Sequence, residues 1–117
     1  MSKARNDMIR GTLDMLILKV LSLEPMHGWG ISERIQQISD DALRVNQGSL
    51  YPALHRLVRN GWITSEWQVT DNNRRARYYG LTPTGEQQLG AEHQHWLRLS
   101  EAVGRIMNAT LDHAEGS

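Results

Sequence analysis

The side chains that could do chemistry in this chain gather in its middle third. Positions 44–80 hold six arginines and two acidic residues, whereas positions 1–43 hold five basic and six acidic residues and positions 81–117 hold two and five. The chain as a whole has 13 basic and 13 acidic residues and a formal charge of zero. A local basic stretch inside a neutral protein suits contact with a polyanion at one surface rather than attraction over the whole molecule.

Two groups of residues make up that stretch. In "RVNQGSLYPALHRLVRNGWI", Asn46, Gln47, Gly48, Ser49 and Tyr51 stand where a helix begins. The free N–H groups and positive dipole end of a helix start favour a phosphate. His55, Arg56 and Arg59 fall off the Leu50/Leu54/Leu57 face and are expected to point toward solvent or a ligand. In "DNNRRARYY", Arg74, Arg75 and Arg77 occupy a turn and the strand after it, and no acidic residue lies between Arg74 and Leu81. Arginines so placed suit phosphates or a minor groove. On these residues alone the plainer account stays open: Ser49 merely caps a helix, Tyr51 is core and the arginines are solvated.

Other chemistries lack their parts. Without cysteine there are no disulfides, thiolate metal sites or cysteine nucleophiles, which fits a reducing compartment. His27, His55, His93, His95 and His113 are scattered, and His93 and His95, two apart on a helix, diverge rather than chelate, so neither a metal nor another cofactor is expected. Ser49 has no evident acid–base partner and no Gly-rich phosphate loop is present, so catalysis is not expected. No apolar run approaches the roughly 18 to 20 residues that span a bilayer, and "MSKARNDMIRG" lacks a signal peptide's apolar centre. The expected location is the cytoplasm, with no membrane partner.

The elements that must position these residues follow from hydrophobic periodicity. Leu13, Leu16, Ile17, Val20 and Leu21 predict a helix over roughly residues 8 to 23, closed by Glu24-Pro25. "MHGWG" reads as a tight connection, after which Ile31, Ile35 and Ile38 predict a second helix to about Ser39. Leu50, Leu54, Leu57 and Val58 mark the inner face of a third, stopped by Asn60-Gly61. It starts either with Ser49 as N-cap, which makes Pro52 harmless, or near Asn46, which puts Pro52 inside the helix. The period then changes to two: Ile63, Ser65, Trp67 and Val69, then Arg75, Arg77, Tyr79 and Leu81, predict a hairpin about "TDNN". Trp62, Ile63 and Tyr79 should pack it on the helices, because a two-stranded ribbon alone is marginal. Thr82 caps a last helix with Pro83 at its first position, running to about Ala109. The fold class is mainly α with a small β-hairpin: a winged helix-turn-helix, ααα-ββ-α, over residues 1–82, and a long C-terminal dimerisation helix with its tail over 83–117.

With those elements in place, "GTLDMLILKVLSLEPMHGWGISERI", "NQGSLYPALHRLVRNGWI" and "RRARYYGLTPTG" closely resemble the PadR-like transcriptional regulators, across about residues 9 to 100. The resemblance implies a homodimer that binds double-stranded DNA at a palindromic promoter site, usually as a repressor, and releases it when a small molecule binds. It implies a recognition helix from Asn46 to Asn60 with Ser49 and Tyr51 at its DNA-facing front, and a wing from Trp62 to Leu81 with Arg74, Arg75 and Arg77 on the DNA backbone. The resulting candidate DNA contacts are Asn46, Gln47, Ser49, Tyr51, His55, Arg56, Arg74, Arg75 and Arg77. Trp29 in "HGWGI" replaces the tyrosine common in the family and is read as a packing matter. The short C-terminal part resembles the subgroup with one C-terminal helix.

In that helix Trp96, Leu99, Val103 and Ile106 recur at spacings of three, four and three, the rhythm of a coiled-coil seam, which Leu89 would extend. A dimer through this face is expected, with Trp96 as the candidate contact for a small aromatic effector. The competing function is a winged helix that docks on acidic protein surfaces without specific DNA binding.

Overall fold

The computed structural model describes residues 3–111, with side chains from residue 11 onward. The first two positions and the tail after residue 111, which includes His113 and part of the C-terminal segment assigned above, lie outside the described residues. The order is α1 (Lys3–Leu23), β1 (Met26–His27), α2 (Gly28–Ile38), α3 (Gln47–Arg59), β2 (Ile63–Val69), β3 (Arg75–Leu81) and α4 (Pro83–Met107). This is the expected mainly helical winged helix with one additional strand. β3 lies between β2 and β1, antiparallel to both.

The extra strand corrects the reading of "MHGWG". Met26 and His27 pair with Tyr79 and Tyr78, and the two glycines that follow open α2 instead of forming a connection. The His27 imidazole is the cap: its Nδ1 accepts from the Gly30 N–H at 3.0 Å. Both glycines make room for rings. A Cβ on Gly28 would lie 3.0 Å from Tyr51 Cε1, and one on Gly30 would lie 3.3 Å from His27 Cε1.

The core joins Ile17, Leu18, Val20 and Leu21 of α1, Ile31 and Ile35 of α2, Leu50, Ala53, Leu54 and Leu57 of α3, and Met26, Ile63 and Tyr79 of the sheet. Trp62 packs half-buried beside it, so the hairpin is anchored at its base as expected. Two residues of the apolar helical spacings lie outside the core. Ile38 ends α2 and is exposed, and Val58, about 100° round the helix from Leu57, is also exposed.

α3 ends in a Schellman arrangement: Gly61 has φ 77°, its N–H donates to the Val58 carbonyl and the Trp62 N–H donates to the Leu57 carbonyl. The hairpin turns through Asp71, Asn72 and Asn73, with Asn73 left-handed at φ 61°, the Asn73 N–H on the Thr70 carbonyl and the Thr70 N–H on that of Arg74. α4 starts as expected, the Thr82 hydroxyl accepting from the Gly85 N–H at 2.9 Å. Gly85 is buried against the Trp62 carbonyl so closely that a Cβ could not fit, and Leu81 Cδ1 would be 2.8 Å away. The first half of α4 is therefore seated against the base of the wing, with Leu89 packed on the core.

The molecule measures 64 × 29 × 27 Å with a radius of gyration of 17.3 Å. A compact chain of this length would have about 13 Å.

Gly85→Ala separates two effects of opposite sign. Helix propensity alone would make alanine stabilising by about 0.5–1 kcal/mol. The backbone obstruction should instead destabilise by about 2 kcal/mol or more, measured as a lower denaturant midpoint at unchanged slope. An unchanged midpoint would mean that α4 is not seated on Trp62.

Candidate nucleic-acid interface

The start of α3 resolves to the second of the two alternatives. Asn46 is the N-cap, its Oδ1 accepting from the Ser49 N–H at 2.9 Å, so Ser49 is the third helical residue rather than the cap. Pro52 is then the sixth, and it cannot supply the N–H that would reach the Gly48 carbonyl. Asn46, Gln47, Ser49 and His55 are all exposed.

About 100° per residue fixes the remaining geometry of α3. With Leu50, Ala53, Leu54 and Leu57 facing inward, the outward stripe is Gly48, Pro52, His55 and Arg59. Tyr51 lies at its edge, 37% exposed, with its ring over Gly28. Arg56 lies on the other edge, toward α1, and there the expectation of a free cation fails. Its Nη2 donates to Asp14 Oδ1 at 2.8 Å in a largely buried ion pair. The guanidinium is engaged inside the domain, so Arg56 leaves the candidate interface and Arg59 takes its place.

In the wing, Trp67 pairs with Arg77 across the strands, and Val69 with Arg75. Side chains two apart share a face, so Trp67, Arg75 and Arg77 stand together. Both guanidiniums lie over the indole, at 4.9 Å for Arg77 and 5.1 Å for Arg75, and Arg77 also donates to the Ser65 hydroxyl. Arg74 is exposed in the turn, its N–H on the Thr70 hydroxyl.

Tyr51 and His55 of α3 meet Trp67, Arg77 and Tyr79 of the wing across one cleft of about 340 Å³, which Trp29 at the first turn of α2 also bounds. Asn46 and Ser49 do not face it. They border a second hollow of about 470 Å³ with Leu13, Leu16, Leu43 and Val45. Sequence reasoning missed two residues of the cleft. Trp29, read as packing, is 59% exposed and stacks on His27 with centroids 5.6 Å apart. Trp67 has no charge to mark it, and only a hairpin centred on Asn72 sets it opposite Arg77.

On α4, Trp96, Leu99, Val103 and Ile106 are exposed, Ile106 at 72%. Leu89 is not part of that exposed row, because it packs on its own core. Trp96 borders two hollows between α1 and α4, of about 640 and 420 Å³. Among the described residues no group of three or more His, Asp or Glu could hold a metal, and no helix is long and apolar enough to cross a membrane.

A helix-turn-helix whose third helix shares a cleft with an arginine-bearing β-wing defines the winged-helix class of regulator. The Transcriptional regulator PadR-like family matches residues 17–91, and the chain belongs to it. A transcriptional regulator of Mycobacterium tuberculosis, Rv3488, is 33% identical over 94 residues, covering 80% of this chain and 84% of the relative. Among solved structures, a transcriptional regulator from Clostridium thermocellum superposes with a TM-score of 0.77 at 29% identity, covering 85% of this chain and 96% of its own. A PadR-like regulator from Bacillus cereus gives 0.72 at 26% identity, covering 89% and 99%. The chain is therefore a DNA-binding transcriptional regulator and not an enzyme.

Tyr79 joins the core to the cleft. Burial pushes its phenol up from the ordinary value, with Arg77 pulling it down and Tyr51 adding to the rise. The folded state thus holds this proton more tightly than the unfolded chain. The stability it contributes is intact below about pH 10 and is lost as pH rises through the higher folded value. A pH series of thermal unfolding should show a steeper alkaline decline for the wild type than for Tyr79→Phe; parallel curves would disprove the assignment.

Proposed function

We propose that this protein is a homodimeric repressor that acts in the cytoplasm, binds a palindromic promoter site and lets go when a small aromatic molecule binds. Residues 1–82 are the DNA-binding unit and 83–117 the dimerising segment in this reading. The observation that carries it is the shared cleft: the outer side of α3 and the arginine face of the wing open toward the same space. A duplex lying there would meet Gln47, Tyr51, His55 and Arg59 from the helix, and phosphates would meet Arg74, Arg75 and Arg77. The repressing direction follows the usual habit of the family.

The dimer rests on the exposed apolar row of α4. Trp96, Leu99, Val103 and Ile106 present a stripe that a second copy would cover. A two-fold contact would set two α3 helices at half-sites about 34 to 36 Å apart. Light scattering at micromolar concentration should give the mass of a dimer, and a monomer there would sink the arrangement.

Selection of bound fragments from the source genome should return an inverted repeat. Arg75→Ala should weaken binding to all sequences alike and lower the salt slope by about 1, whereas Gln47→Ala should relax the preference among sequences. Asn46→Ala is a poorer probe, since it removes the cap of α3 as well. Retention of no fragment even at low salt would favour a protein-docking module.

Trp96 is the proposed effector contact, beside the hollows between α1 and α4. The chain has four tryptophans, so a fluorescence titration with planar aromatic compounds needs the Trp96→Ala variant as its reference. Unchanged binding in that variant removes Trp96 from the site.

A further inference from the structure

We infer that Trp67 is a positioning residue for DNA binding: its indole orders Arg75 and Arg77 as a pair of cations before the duplex arrives. The inference rests on the wing meeting DNA, as proposed above, and goes beyond it by assigning a role to a side chain that carries no charge.

Trp67 is 53% exposed on a strand that has left the core, so burial does not explain a tryptophan there. What surrounds it is cationic. Arg77 lies opposite in register and Arg75 two residues farther toward the tip, with both guanidiniums within about 5 Å of the ring centroid, a distance at which cation–π attraction operates.

The alternative way to hold an arginine is a carboxylate, and this chain uses it elsewhere. Among the described residues, the ion pairs are Arg34 with Glu24 and Arg56 with Asp14. A carboxylate neutralises the guanidinium and competes with an incoming phosphate. An aromatic ring restricts the same side chain and leaves its full charge available. The nearest acid in the strand, Glu66, is one residue away and so on the opposite face, where it accepts from Gln68. Arg77 is held further by the hydroxyl of Ser65, again without loss of charge. An arginine already restricted loses less rotamer freedom on docking, so two ordered cations bind more tightly than two free ones.

The test uses the full chain and labelled duplex DNA of mixed sequence over a series of salt concentrations. Trp67→Ala should weaken binding about 5- to 30-fold at every salt concentration with nearly unchanged slope, because the charges remain and only their order is lost. Arg75→Ala or Arg77→Ala should lower the slope by about 1 each. Trp67→Phe should restore most of the affinity. In an Arg75→Ala/Arg77→Ala background, Trp67→Ala should add no further loss, whereas a ring needed only for wing stability would cost the same in either background.

Wild-type affinity in Trp67→Ala, tighter binding in that variant, or an equal loss in the double-arginine background would each overturn the inference. If the double-arginine variant binds DNA as well as the wild type, the wing contact itself fails and takes this inference with it. If that variant binds weakly while Trp67→Ala is normal, the wing contact stands and only the role of Trp67 falls.

Discussion

At Trp62 the backbone N–H donates to the Leu57 carbonyl at the end of α3, and the carbonyl accepts from the Thr82 N–H at the start of α4. One residue earlier, the Gly61 carbonyl accepts from the Thr82 hydroxyl at 2.8 Å, and Gly85 closes the junction from the α4 side. Four residues thus tie together the helix, the wing and the C-terminal helix. The angle at which the wing leaves α3 and the direction in which α4 departs are set by one small knot of backbone, which explains why two of its members are glycines. Gly61 supplies a left-handed conformation, and Gly85 supplies the absence of a side chain where two backbones touch.

The arginines show how the same side chain takes different roles according to what lies opposite. Arg56 faces α1 and finds Asp14, so its charge is used up within the fold. Arg75 and Arg77 face an indole and a hydroxyl, and their charge remains outward-directed. Arg59 stands on the outermost side of α3. A neutral protein therefore carries a basic surface where α3 and the wing meet. Phosphate contacts draw their energy from such local charge, and the rest of the surface can remain balanced.

Much of the architecture was legible in the sequence because it depends on local rules. The 3.6-residue rhythm of Ile17, Val20 and Leu21, the alternation of Ile63 to Val69, the Asn60-Gly61 stop and the Thr82-Pro83 start each express a constraint acting within a few residues. β1 carries no such local signal, for the complementary reason. Two residues carry no periodicity, and Met26-His27 is a strand because Tyr78 and Tyr79 happen to lie beside it. The glycines of "MHGWG" have the composition of a turn, yet they serve as clearance for the rings of Tyr51 and His27.

The same division runs through the candidate site. Sequence alone determined which residue types were on offer: a polar helix front, a basic wing without acids, an apolar row along the last helix. Tertiary structure decided which of them share a space. It turned Arg56 inward and Leu89 onto the core, brought Tyr51 and His55 of α3 across a cleft from Arg77, and set Trp67 beneath two cations. Those outcomes depend on how helices and strands cross, with partners such as Asp14 and Arg56 lying 42 positions apart in the chain. Periodicity and spacing report on neighbours along the chain, whereas a long-range pairing is settled only when the core closes and each helix is left with one face toward its neighbour.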